Sequence, residues 1–299
     1  MRTRCEIWAP AKLNLGLRVL GRRADGYHDI LTRFVAVDLY DQLVFTRRIA
    51  GGVSLQLQVD SAGVRPGEFP LDEGNLILRA VRLVERAAGI RASLSISIRK
   101  TIPIAAGLGG GSADAAATLL AMTRLYGIDV PPRELGAWGA QLGADVRFFL
   151  GESAAMGRGR GDELTPISLF RQWWAILVTP PVFVSAGDVY GDLRLTLGAK
   201  AANFHDCRDR EGFLAALRRS HNDLEAVVLR RAPEILLWQG RLREQGAAGV
   251  FVSGSGPTVF GVYMSQPSEK TVQSLRGGGT GARVEVARPV TTPLALVVQ

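Results

Sequence analysis

An α+β fold in two domains is the class this sequence predicts, and three observations predict it. Strand-like alternation and helix-like spacing interleave in both halves of the 299 residues, without the strict βαβ beat of a doubly wound parallel sheet. The length exceeds that of most single domains. The pattern changes near Gly161, which divides the chain into an N-terminal domain, residues 1–160, and a C-terminal domain, residues 161–299. No internal repeat or low-complexity linker marks the division.

The elements follow in order. In IWAPAKLNLGLRVLG the apolar Leu13, Leu15, Leu17 and Val19 alternate with Lys12, Asn14, Gly16 and Arg18, the period-two pattern of a strand. Lys12 and Asn14 then share its polar face. GRRADGYHDI reads as a turn-rich loop, DQLVF and VSLQLQV as strands, and residues 61–74 as loop. NLILRAVRLVERAAG is a helix capped by Asn75 and stopped at Gly89. LSISI alternates as a strand, and ADAAATLLAMTRLYG has the composition of a helix ending at Gly127. PPRELGAWGAQLG is a short helix leading into GADVRFFLG. Beyond Gly161 come a strand at WWAILVTP, a Pro- and Gly-punctuated loop to Tyr190, and helices over 211–219, 223–230 and 234–245. Strands around GVFVSGSGPTVFGVY and RVEVA complete the chain.

Composition narrows the function. With 47% hydrophobic and 21% charged residues, and no apolar run near the ~20 residues of a membrane span, the chain reads as soluble and without a membrane partner. MRTRCEIWAP lacks the apolar core of a signal peptide. Cys5 and Cys207 stand far apart without metal-ligand spacing, so packing roles in a reducing compartment, the cytoplasm, are expected. The net charge of +8 suits nucleic acid, an acidic surface or a phosphorylated substrate. Scattered arginine pairs with no interleaved aromatics argue against nucleic acid.

Between the LSISI strand and the alanine-rich helix lies PIAAGLGGGSADAAA. A helix start leaves N–H groups unpaired at the positive end of the helix dipole, and glycines let phosphate oxygens reach them. Ser112 would add a hydroxyl to the phosphates or their magnesium. Equally, Ser112 caps the helix and the glycines make a tight turn. The motif lacks the Lys-Ser/Thr of a P-loop and does not complete GxGxxG.

The same stretch resembles the phosphate loop of the GHMP kinases, the superfamily of galactokinase, homoserine kinase and mevalonate kinase. PAKLNLGLRVLGRRADGYHDI, LGADVRFFLG, HNDLEAVV and VSGSGPTVF are similar to the superfamily's other segments, in its order. The resemblance implies a two-domain fold, N-terminal ribosomal protein S5 domain 2-like and C-terminal ferredoxin-like. It implies ATP as co-substrate with Mg2+, whose ligands it leaves unassigned. ADGYH narrows the acceptor to an alcohol bearing a cytidine diphosphate group, the acceptor type of isoprenoid precursor biosynthesis, in a monomer or homodimer.

Carried over residue by residue, the resemblance makes Lys12 and Asp145 the catalytic pair. Asp145 would accept the hydroxyl proton, and Lys12 would hold it ionised and stabilise charge near the acceptor oxygen. Without the resemblance, Lys12 reads as a surface lysine and Asp145 as a loop cap. The ATP loop is Pro103, Ile104, Ala105, Ala106, Gly107, Leu108, Gly109, Gly110, Gly111, Ser112 and Ala113. Asn14, Tyr27, His28 and Tyr190 are the substrate residues, Tyr27 and His28 serving the cytosine base and Tyr190 a second stacking ring or a packing residue. Asp223 reads as a helix cap, and Gly254 and Gly256 as a second loop close to the site. Arg147 stands where proline is expected, and Ala105 and Ala106 replace more glycine-like residues. Two rivals remain: a GHMP kinase acting on mevalonate or homoserine, and a nucleotide or nucleic-acid binder without the chemistry.

Overall fold

A computed structural model describes residues 3–58, 64, 68–194, 207–277 and 281–298. The chain opens with two long antiparallel strands, β1 (Arg4–Arg22) and β2 (His28–Arg47). Only the end of β2 was legible as a strand, because Ile30 to Val37 are buried on both faces and show no alternation. β3 (Val53–Leu57) follows, and Asn75 caps α1 (Leu76–Ala88) through its side chain, accepting from the Ile77 N–H at 2.9 Å. β4 (Leu94–Arg99) pairs parallel with β3 and leads through the glycine segment into α2 (Gly110–Tyr126).

Next come α3 (Pro132–Leu142), the short α4 (Val146–Leu150), and the hairpin of β5 (Ala154–Arg158) and β6 (Glu163–Pro166). The C-terminal half begins with β7 (Trp174–Thr179). It continues through α5 (Ala186–Gly191), α6 (Arg210–Arg219), α7 (Glu225–Arg231) and α8 (Ile235–Glu244) to the antiparallel pair β8 (Gly249–Val252) and β9 (Val259–Tyr263). α9 (Glu269–Arg276), β10 (Arg283–Ala287) and β11 (Ala295–Val298) end it.

Two sheets organise these elements. The first runs β11-β1-β2-β4-β3, with β5 on the far stretch of β2 and β6 on β5. The second runs β10-β7-β9-β8, all antiparallel, with helices between β7 and β8 and α9 between β9 and β10. That is the order of a ferredoxin-like domain, and the α+β class holds throughout. Residue 160 lies in the turn between β5 and β6, and β11 returns to the first sheet. A single cut there leaves β6 and β11 on the wrong side of the sheet they complete.

The period of two in β1 decides where the chemistry sits. Ala11, Leu13 and Leu15 face the second domain, packing in one cluster with Trp173, Phe213 and Phe260. Lys12 and Asn14 therefore point to the opposite face, where α2 and its preceding loop lie. Register shifts between Asn14 and Leu17, at Gly16 with φ 96°, bend β1 just beyond them.

Candidate active site

Lys12 is no surface lysine: it is 4% exposed. Its backbone N–H donates to the Leu108 carbonyl at 2.8 Å, which stitches β1 to the phosphate loop. Its ammonium lies 3.4 Å from Asp145 Oδ2 and donates to Asn14 Oδ1 at 2.7 Å. Asn14 Nδ2 donates to Thr32 Oγ1 at 2.8 Å, and that hydroxyl donates to the Gly16 carbonyl at 2.8 Å. This buried chain leaves Lys12 one orientation. The Phe34 ring lies 5.4 Å from the ammonium and adds a favourable π-face. Asp145 stands just before α4, between Gly143 and Val146, with a side chain 29% exposed. The pair thus sits at the wall of a cleft, with the carboxylate on the open side.

The phosphate loop ends on Gly109, in the left-handed region at φ 72°, as the N-cap of α2, and no side chain caps that helix. Ser112 lies inside the first turn instead of capping it, so the first N–H groups of a 17-residue helix stay available to an anion. The capping alternative for Ser112 falls here. A Cβ on Gly109 would press on the Lys12 side chain at 2.9 Å, and one on Gly107 would overlap the Ser253 carbonyl. The glycines therefore allow close backbone approach.

The second glycine loop makes that approach. Ser253 Oγ donates to the Gly107 carbonyl at 3.0 Å, and Thr258 N–H reaches the Ala106 carbonyl at 3.4 Å. Asn222 anchors this loop, donating from Nδ2 to the carbonyls of Val252 and Gly254 at 3.0 and 2.7 Å. Asp223 is no simple cap. It accepts from Val19 N–H at 2.8 Å and pairs with Arg18 at 3.1 Å, tying the two domains together.

Two cavities meet at Asp145. One, of about 540 Å³, runs along the phosphate loop between Phe69, Ile104 and Phe183. The other, of about 870 Å³, extends from Lys12 to Tyr27, His28 and Tyr190. Asp145, Gly107, Gly109 and Ser112 line both. His28 stacks on Tyr190 with ring centres 5.3 Å apart and planes 27° apart, so β2 and α5 build one aromatic wall. Burial, reinforced by the Arg22 guanidinium, holds the His28 imidazole below its ordinary range. Burial and the charge of Asp145 push the Tyr190 hydroxyl far up, so it stays protonated. Tyr27 is 57% exposed and carries the Arg160 guanidinium over one face at 4.7 Å. Tyr27 also lines the cavity of about 870 Å³.

Several contributors escaped the sequence reading. Thr32 lies in the part of β2 without alternation, and Asn222 passed as the neighbour of a cap. Arg160 sits in a hairpin turn with no motif of its own. Only the polar Asn-Asp pair of HNDLE offered a signal, since polar residues beside a helix start invite a capping reading. Arg147 does not add a cation to the site: it is exposed and donates to the Asp162 carbonyl at 3.1 Å. Ala105 adopts φ 54°, a left-handed conformation that costs an L-residue roughly 1–2 kcal/mol.

Comparison with known proteins agrees with this geometry. The GHMP kinases N terminal domain matches residues 75–152 and the GHMP kinases C terminal domain residues 200–276. The 4-diphosphocytidyl-2-C-methyl-D-erythritol kinase of Shouchella clausii is 39% identical over 91% of this chain and 90% of its own. The enzyme of that name from Syntrophus aciditrophicus is 39% identical over 91% of this chain and 94% of its own. A crystal structure of 4-(cytidine 5'-diphospho)-2C-methyl-D-erythritol kinase superposes with a TM-score of 0.73 at 36% identity, covering 95% of this chain and all 100% of that one. Homoserine kinase from Cytophaga hutchinsonii superposes with a TM-score of 0.78 at 20% identity, covering 99% and 98% of the two chains. That likeness is one of fold, and the acceptor has to be argued from the site.

Proposed function

From a chain that belongs to the GHMP kinases, and among them to the 4-diphosphocytidyl-2-C-methyl-D-erythritol kinases, we infer the reaction: transfer of the ATP γ-phosphate to the 2-hydroxyl of 4-diphosphocytidyl-2-C-methyl-D-erythritol. The observation that carries this reading is the meeting of two cavities at Asp145, one along the phosphate loop and one ending in an aromatic wall. A triphosphate on the α2 N-terminus brings its γ-phosphate to that junction. A cytosine placed against Tyr27, His28 and Tyr190 brings the far end of its substituent to the same point.

At the junction Asp145 orients the acceptor hydroxyl and takes its proton as the oxygen–phosphorus bond forms and ADP leaves. Lys12 neutralises charge beside the acceptor oxygen, and its fixed position costs no reorganisation during the step. Asn14 is then a positioning residue: both ends of its amide are bonded within the protein, so it acts on substrate through Lys12.

Magnesium fits as a companion of the nucleotide. No cluster of three or more His, Cys, Asp or Glu side chains that could hold a metal ion occurs among the described residues, so ATP oxygens would supply most of its ligands. Bound there, the ion would neutralise phosphate charge. The two cysteines are buried thiols, which suits the cytoplasm as the proposed compartment. Among the described residues no helix is long and apolar enough to cross a membrane.

A coupled ADP-release assay over 4-diphosphocytidyl-2-C-methyl-D-erythritol, mevalonate and homoserine tests the proposal. Turnover confined to the first acceptor is expected, and turnover of either other acceptor in its place overturns it.

A further inference from the structure

Behind the phosphate loop three charged side chains are buried together, and the mechanism uses none of them. Asp41 on β2 is fully buried, while Lys100 at the end of β4 and Asp114 on α2 are each 2% exposed. The Lys100 ammonium donates to Asp114 Oδ2 at 2.8 Å and to Asp41 Oδ2. Asp41 Oδ1 accepts the backbone N–H groups of Thr101 and Ile102 at 2.6 and 2.9 Å. Asp114 Oδ1 is buried with no hydrogen-bond partner.

The positions of these groups in the chain give the cluster a meaning. Lys100, Thr101 and Ile102 form the entry to the phosphate loop, and Asp114 lies just past its exit, in the first turns of α2. One ammonium therefore bridges both ends of the loop, and Asp41 fixes the entry to the sheet. We propose that Asp41, Lys100 and Asp114 form a clasp that closes the phosphate loop into a ring, with Asp114 a positioning residue for the nucleotide phosphates. The proposal rests on the ATP-dependent reading above.

Two further facts support a device for geometry over one for stability. A buried ion triad gains little net stability over an apolar packing of similar volume, because desolvation offsets attraction. The clasp also presses on the loop itself: a Cβ on Gly110 would lie 3.3 Å from Asp41 Oδ2 and 2.9 Å from Ile102 Cγ2. Burial, with the Asp41 charge beside it, pushes the Asp114 carboxyl up, while Lys100 opposes this. Lys100 stays charged because the two carboxylates outweigh its burial.

Calorimetric titration of ATP into the whole protein, without acceptor, tests the clasp apart from catalysis. Asp114→Asn keeps the shape and removes the charge, and Asp114→Ala removes the tie. We expect ATP Kd to rise about 10-fold for Asp114→Asn, the equivalent of one charge-assisted hydrogen bond, and further for Asp114→Ala. KM for the cytidine-bearing acceptor should stay within twofold in both, and amide hydrogens of residues 103–113 should exchange faster. ATP Kd unchanged in both variants, with only the melting temperature lowered, overturns the proposal. Wild-type protein that binds no ATP overturns the kinase reading instead, so the two failures are distinct.

Discussion

The Lys12 ammonium lies 3.4 Å from the Asp145 carboxylate while donating at 2.7 Å to Asn14 Oδ1, so the cation is shared between the carboxylate at the cleft wall and a buried relay. Because the relay alone fixes Lys12, losing Asp145 leaves the lysine and both cavities in place. Asp145→Asn should bind ATP with unchanged Kd and lose on the order of a hundredfold or more in kcat. Steady-state kinetics beside calorimetric ATP binding checks it. A kcat within threefold of wild type would remove Asp145 from the chemistry.

Asn14→Ala should act through Lys12. The substitution leaves the ammonium with one partner fewer and strands the Thr32 hydroxyl's incoming bond, inside the protein where such losses cost about 1–3 kcal/mol. We expect a lower kcat with acceptor KM changed less than threefold. If KM rises and kcat holds, Asn14 binds substrate directly, and its assignment as a positioning residue is wrong.

The contact between the two glycine loops makes Gly107 intolerant. At φ 78° an alanine is strained, and its Cβ would overlap the Ser253 carbonyl, so backbone has to move. Gly107→Ala should lose about 2 kcal/mol or more in urea unfolding and weaken ATP binding. Ala105→Gly is the converse case. There φ is already 54° at an exposed residue, and the relief exceeds the ~0.5–1 kcal/mol of added chain entropy. An equal or higher urea midpoint, up to about 1 kcal/mol, is expected.

Tyr27 stacks on Arg160 with one face, and the proposed cytosine takes the other. Tyr27→Ala should raise acceptor KM about 10-fold, the worth of one stacked aromatic, and leave ATP Kd within twofold. Equal weakening of both ligands would move the aromatic out of the acceptor site.

Physical reasons separate what could be read in the sequence from what could not. Lys12 and Asn14 were legible because β1 alternates, one face toward the second domain and one toward α2. α1 was legible to its caps, Asn75 and Gly89, since capping is local chemistry. The start of β2 was not, because burial on both faces erases the period, and so Thr32 was missed. β11 closes the first sheet from the far end of the chain, a pairing that no local pattern announces. Among the proposed site residues, Asp145 follows from the resemblance carried by LGADVRFFLG, while the role of Asn222 depends on carbonyls of Val252 and Gly254 about thirty positions away.

His28 sets the pH behaviour of the aromatic wall. Its imidazole is half-buried against Tyr190 and faces Arg22, and both effects disfavour the cation. Its native pKa therefore lies below 6.5, the unfolded value, and the folded protein binds fewer protons there than the unfolded chain. It follows that the His28 contribution to stability is present above pH 6.5 and is lost as the pH falls through the native pKa. At neutral pH the ring is uncharged, able to stack on Tyr190 and to offer a nitrogen lone pair to a base edge. Proton NMR of the His28 ring should give a midpoint below 6.5, and Arg22→Ala should move it upward without reaching that value, since burial remains the larger cause. A wild-type midpoint at or above 6.5 would contradict the buried, neutral ring.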